Sequence, residues 1–223
     1  MKVLLACEES QAVCKEFRRL GHEAFSCDIL PTSGDNPEWH IQDDLMDVMY
    51  DGSWDLMVAF PPCTHLAVSG ARHFKQKQED GRQQQGIDFF MNVVNAPIEF
   101  IAVENPVGIM STLYRKPDQI IHPYYFGDSY SKKTCLWLKN LEPLKHYRLG
   151  DQLEIGDPFA RITHVDPGEF VTFSSGKRMP KWYNEASGKN GGHLRSKTFP
   201  GIAKAIAEQF SYQIEGSIHR LAV

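Results

Sequence analysis

The chain lacks the glycine-rich turn, the metal-ligand clusters and the basic excess that would assign it on first reading. Its five cysteines (Cys7, Cys14, Cys27, Cys63 and Cys135) form no CxxC pair, and none stands near a histidine at zinc-finger spacing. Their odd number and wide spread point to free thiols in a reducing, cytoplasmic setting. The nine histidines form no HxH or HExxH group, so no metal site is expected. No apolar run is long enough to span a membrane. The apolar start meets Glu8 and Glu9 at once, which reads as a first strand and not as a signal peptide. Internal repeats and low-complexity tracts are absent. A net charge of −4 argues against a surface coated for non-specific nucleic-acid binding.

What is present suits a globular protein with one core and room for a small lobe: 223 residues, 42% hydrophobic and 23% charged. Strand-like runs at 2–6, 23–29, 38–42, 54–60 and 99–103 alternate with helical patterns at 10–20, 43–49 and 87–94. Two further strands are expected at 119–122 and 134–138, and a closing helix at 200–212. The polar tract 72–86 has no hydrophobic period and reads as a surface loop or a frayed helix. This order predicts an α/β fold with a mostly parallel, helix-flanked sheet. Residues 141–194 break into short segments between Pro, Gly, Asn and Ser. They are expected to form a small lobe inserted in a body made of 1–140 and 195–223.

The stretch 54–72 organises the reading. Its apolar run ends at Phe60-Pro61-Pro62, and Cys63 follows at once. Buried parallel strands read as unbroken apolar runs, and ligands of open α/β sheets bind beyond the strands' carboxyl ends. Cys63 is therefore a candidate nucleophile, set against the buried small hydrophobe that a free cysteine commonly is. Glu104-Asn105 ends the next long strand. If the two strands are neighbours, about 5 Å apart, a thiol and an acid share one rim. Such a pair suits addition of sulfur to an electron-poor ring that the acid protonates.

At the first strand-to-helix turn, Ala6-Cys7-Glu8-Glu9-Ser10 has two carboxylates where a dinucleotide fold has glycines. Phosphate would be repelled there, whereas a cofactor with a positive end and no phosphate, such as S-adenosylmethionine, would be accepted. The alternative is a helix N-terminus favoured by acidic residues. Asp28 ends the second strand, where a carboxylate can meet ribose hydroxyls. Asp43 and Asp44 end the third and could meet an adenine amino group, or cap a helix. Positive charge gathers at 172–197, including Lys177, Arg178, Lys181 and Arg195 against Glu185, and any polyanion would be met there.

These residues carry a resemblance. Phe60-Pro61-Pro62-Cys63-Thr64 with Ser69-Gly70 resembles the catalytic motif of DNA cytosine carbon-5 methyltransferases of the compact bacterial and phage type. Glu104-Asn105-Pro106-Val107 is similar to that family's Glu-Asn-Val motif, and Ser131-Lys132-Lys133-Thr134-Cys135 to its Gln-x-Arg-x-Arg strand. Arg195-Ser196-Lys197 resembles its last motif, Gly-Asn-(Ala/Ser) before a helix. The motif order matches over nearly the whole chain. The departures are specific: Leu5-Ala6-Cys7-Glu8-Glu9 replaces Phe-x-Gly-x-Gly, Asp28 replaces a glutamate, and Thr64 replaces a glutamine. Lys133 and Cys135 replace two arginines, and a lysine lacks the bidentate guanidinium. Ser196 replaces the asparagine.

The resemblance implies a Rossmann-like methyltransferase fold, S-adenosylmethionine as cofactor and DNA as partner, in a bacterial or phage-infected cell, as in restriction–modification. Cys63 would attack cytosine carbon 6, Glu104 would protonate ring nitrogen 3, and Lys133 would steady the carbonyl. Ala6, Cys7, Glu8, Asp28, Ile29, Asp44, Phe60, Pro61 and Ser196 would hold the cofactor. Pro62, Ser69 and Asn105 would meet the substrate, with 69–86 as a closing loop. Two alternatives stay open: the same chemistry on a free pyrimidine nucleotide, and a non-catalytic DNA-binding relative.

Overall fold

A computed structural model describes residues 1–51, 53–186 and 196–221, with side chains through 217. Seven strands form one sheet in the order β3-β2-β1-β4-β5-β7-β6. These are β1 (Lys2–Ala6), β2 (Glu23–Asp28), β3 (His40–Gln42), β4 (Leu56–Ala59), β5 (Phe100–Pro106), β6 (Gln119–Ile121) and β7 (Thr134–Lys139). Strands β1 to β5 are mutually parallel, and β7 runs antiparallel between β5 and β6. The fold is the expected Rossmann-like α/β architecture. Both faces of the sheet are covered, which is why β1 and β4 are apolar at nearly every position.

Alternation along the strands sends residues to two cores. Val3, Leu5, Val58 and Leu136 pack with Phe17 of α1 (Ala12–Arg19) and with Ile206 and Phe210 of α7 (Pro200–Leu221). Leu4, Met57, Val103 and Trp137 pack with Phe90 and Val93 of α4 (Arg82–Val94) on the other face. Phe90 meets Trp137 edge-on at 5.2 Å between ring centres. Helix α7 runs past the expected end at 212 because Ile214 continues its buried stripe.

The tract expected as a loop or frayed helix is helical. A 3₁₀ segment over Val68–His73 leads into α3 (Phe74–Glu79), and α4 begins at Arg82, five residues before the apolar pattern. Gln, Lys and Arg are good helix formers without any apolar period, and two of them, Lys77 and Gln83, are buried.

Three glutamines fasten the chain that follows β7. Gln119 pairs through its amide with both backbone groups of Leu144, and Gln209 does the same with Lys145 and Gln213 with Glu142. Each amide acts as a short piece of strand edge, so residues 142–145 lie along α7. Farther on, β8 (Phe170–Thr172) and β9 (Arg178–Pro180) form a separate two-stranded sheet followed by α6 (Lys181–Glu185). Among the described residues, no helix is long and apolar enough to cross a membrane.

Candidate active site

Strands β4 and β5 are neighbours in register, Ala59 opposite Val103, so Phe60, the first residue past β4, comes level with Glu104 in the last three residues of β5. The carboxyl ends of β1 to β5 and the start of antiparallel β7 share one rim. Strand order reverses between β1 and β4, the place where open α/β sheets bind ligands, and the Phe60 amide donates to the Ala6 carbonyl across that point at 2.9 Å.

Beyond Phe60 the chain carries Cys63 through an irregular turn whose carbonyls are nearly all satisfied, as buried backbone requires. The Pro61 carbonyl accepts from Asn105 Nδ2 at 2.7 Å. The Cys63 carbonyl accepts from the Leu66 and Ala67 amides, and the Leu66 carbonyl from the Ile109 amide, just before the short α5 (Met110–Leu113). Thr64 O accepts from Lys77 Nζ at 2.6 Å, and His65 O from Gln83 Nε2 at 3.2 Å. The Cys63 turn is thus laced to the end of β5 and to both helices of the α3–α4 hairpin. A side chain on Gly108 would stand 2.5 Å from the Leu66 carbonyl, so a glycine there permits the lacing.

Burial pushes the Cys63 thiol up, and the Glu104 carboxylate pushes it further. Two ammonium groups, Lys132 and Lys77, and its own backbone amide favour the thiolate. Cys135 and Cys27 are likewise raised, to about 11 and about 12, by burial and nearby carboxylates. Burial also raises Glu104, opposed by Lys132. The Thr134 hydroxyl lies close enough to Glu104 to favour its carboxylate, although it closes no well-formed hydrogen bond. A buried acid that stays protonated beyond the usual range and a thiol beside two cations now face the same rim.

The nearby cation differs from the one singled out by sequence. Lys132 is half-buried and acts on both Glu104 and Cys63, whereas Lys133 is exposed and its charge reaches His122 and Cys135. Period-two alternation leading into β7 explains this. Lys132 follows the face of Thr134, beside Glu104, and Lys133 the opposite face, with Cys135.

On the β1–β3 side, Glu8 turns inward. It is 4% exposed and accepts from the Val13 and Cys14 amides at 2.6 and 3.1 Å, filling the N-terminus of α1. Burial lifts its pKa to about 7, and those two amides hold it back. The site where a dinucleotide fold would seat a pyrophosphate is therefore taken by a carboxylate, while Cys7 adopts φ 57° to turn the chain. The Asp28 and Asp44 carboxylates both act on the Cys7 thiol, so they converge at the mouth of β1. Asp28 accepts from the Leu30 amide, Asp44 caps α2 (Leu45–Val48) through the Met46 amide, and Ile29 is 71% exposed beside them.

The remaining sequence candidates are dispersed. Pro61 is buried, Pro62 and Ser69 are exposed, and Asn105 spends its amide on Pro61 within the fold. Arg178 lies over the Phe170 ring at 4.2 Å, Lys181 pairs with Glu169 at 2.6 Å, and Lys177 is exposed near the β8–β9 turn. Trp182 donates to the Ser131 carbonyl and packs with Tyr130 and Phe199, which fastens the hairpin region to the loop carrying Lys132. Ser196 is exposed, and Arg195 lies outside the described residues. Sequence reasoning did not single out Lys77, Gln83 or Lys132. The first two sit in a tract that is polar apart from Phe74, and no local signal marks which of its polar members turn inward.

No family model matches the chain. No curated protein matches it either. Among solved structures it is similar to the crystal structure of a protein described as a DNA modification methyltransferase encoded within an E. coli prophage. That match has 14% identity and a TM-score of 0.47, and it covers 83% of this chain and 63% of that one.

Proposed function

We propose that this chain is an S-adenosylmethionine-dependent methyltransferase acting on carbon 5 of cytosine in DNA through a covalent Cys63 adduct. The observation that carries the reading is the Cys63–Glu104 pair, a thiol and a protonation-prone acid on adjoining strand ends with Lys132 acting on both. The residues at the mouth of β1 fit the cofactor. Glu8 fills the helix terminus that a phosphate would need, while Asp28 and Asp44 offer carboxylates to hydroxyl and amino groups. When bound, the cofactor supplies an electrophilic methyl group.

Cys63 thiolate adds to carbon 6 of the ring, and Glu104 delivers its proton to nitrogen 3, which leaves carbon 5 electron-rich. Lys132 balances the charge that develops near the carbonyl, as a preorganised donor does. After carbon 5 takes the methyl group, its proton passes to solvent. The carbon–sulfur electrons then return to Cys63 as thiolate, and Glu104 recovers the nitrogen-3 proton. A base within duplex DNA must be turned out of the stack to reach this rim. Lys177 and residues 181–183 of the 141–194 lobe supply the side on which a backbone would lie.

DNA containing 5-fluorocytosine tests this reading, because fluorine at carbon 5 cannot leave as a proton. With S-adenosylmethionine present, a covalent complex at Cys63 is expected, absent in Cys63→Ser. Tight DNA binding without any adduct would leave a non-catalytic relative instead. The pairing of Lys181 with Glu169 reduces the charge available to a long polyanion. That favours a free pyrimidine nucleotide as the second reading. An adduct with the fluorinated mononucleotide alone would select it.

A further inference from the structure

Lys77 is 8% exposed, and its ammonium is directed at a backbone carbonyl rather than a carboxylate. A buried ammonium is costly unless it is paired or used. Its partner is Thr64 O, one residue past Cys63, at 2.6 Å. Gln83, also buried, holds the next carbonyl, His65 O, at 3.2 Å. A neutral amide therefore suffices to pin a carbonyl in this turn, which leaves the charge of Lys77 to be explained. Its field reaches the Cys63 sulfur and disfavours a proton on His65.

We infer that Lys77 is a positioning residue for Cys63: by donating to the Thr64 carbonyl, one residue past Cys63, it fixes the turn that presents the sulfur and holds a positive charge at that turn. The inference rests on reading Cys63 as the nucleophile. It also changes the part played by residues 69–86, since α3 then braces the nucleophile from behind. Carbonyl pinning and charge are separable. Lys77→Gln keeps a donor for Thr64 O and removes the charge, whereas Lys77→Met removes both and retains much of the stem's packing.

The readout is iodoacetamide alkylation of Cys63 as a function of pH, followed by mass spectrometry of the peptide that contains it. Alkylation requires the thiolate and no methyl transfer. Both variants should shift the profile to higher pH and slow alkylation near neutrality by about three- to tenfold, the size of half to one pKa unit. Lys77→Met should also lose amide-exchange protection at Leu66 and Ala67, which Lys77→Gln should keep. Unchanged pH profiles in both folded variants would overturn the inference. Shifted profiles in a protein that forms no adduct with fluorinated DNA or nucleotide would uphold the role of Lys77 while removing the proposed reaction.

Discussion

Glu104 and Cys63 are both raised by burial, and Lys132 opposes both shifts, so this cation acts on the acid and the thiol alike, with Lys77 joining it at the thiol. The reaction needs the acid protonated and the thiol ionised together, so the pH–rate profile is bell-shaped and reports macroscopic values of the pair. Lys132→Met should move both limbs to higher pH, whereas Lys133→Met, at an exposed position, should leave them in place. A kcat/KM profile of the three proteins checks this. Glu8 makes a separate prediction. Its ordinary pKa of 4.5 rises to about 7 on folding, so the folded state binds the extra proton and the benefit is complete below 4.5. That benefit is lost as pH rises toward 7. Glu8→Ala should cost about 1–2 kcal/mol through two uncapped amides, with a larger loss at pH 5 than at pH 8, measured by urea denaturation at both.

At the scale of elements, the Cys63 turn and the end of β5 behave as one unit because backbone meets backbone there. The Val68 amide donates to Val107 O and the Ile109 amide to Leu66 O, across the contact that Gly108 permits. Gly108→Ala introduces a Cβ at 2.5 Å from a carbonyl oxygen, a distance that neither backbone can absorb without moving. The turn should shift, and adduct formation should fall by at least tenfold. Binding of S-adenosylhomocysteine by calorimetry should be retained, since Asp28 and Asp44 stand on other elements. Asp28→Ala should do the reverse, weakening that binding while Cys63 still alkylates. Helix α7 has a similar close approach at its start. A Cβ on Gly201 would lie 2.2 Å from Phe126 O, so Gly201→Ala should cost stability by about 1–3 kcal/mol.

For the whole molecule, acid sensitivity should come from the far side of the sheet. His146 Nδ1 and His164 Nε2 stand 2.8 Å apart, and both rings stack on Tyr125 at 4.5 and 4.6 Å. Burial, with the neighbouring His164, lowers His146 to about 4, while Asp151 opposes the shift. The unfolded chain therefore binds the proton first. Stability is complete above the ordinary value of 6.5 and declines as pH falls from there toward 4. His146→Phe keeps a ring against Tyr125 and should flatten the decline in melting temperature between pH 7 and pH 5. This cluster joins the chain after β6 to the segment running along α7, so its loss should loosen the path toward β8 and β9 before the parallel sheet.

How much of this was legible follows from how far apart the interacting residues stand. The parallel strands were readable because continuous burial leaves continuous apolar runs, and Cys63 and Glu104 were readable because each directly follows such a run. Strand adjacency then had to be supplied by the register of β4 on β5. Helix α3 and the first turn of α4 left no apolar period, since their inward residues are Lys77 and Gln83. Glu8 was equally ambiguous in sequence, a ligand contact or a cap, and only the position of the Val13 and Cys14 amides assigns it to the helix. Local patterning by itself determined which strands make the seven-stranded sheet and which reactive side chains follow them, while β8 and β9 left no readable pattern. Tertiary structure decided which cation stands near both Cys63 and Glu104 and which side chains hold their turn in place, because charge and hydrogen bonds act across distances in space that the order of residues does not record.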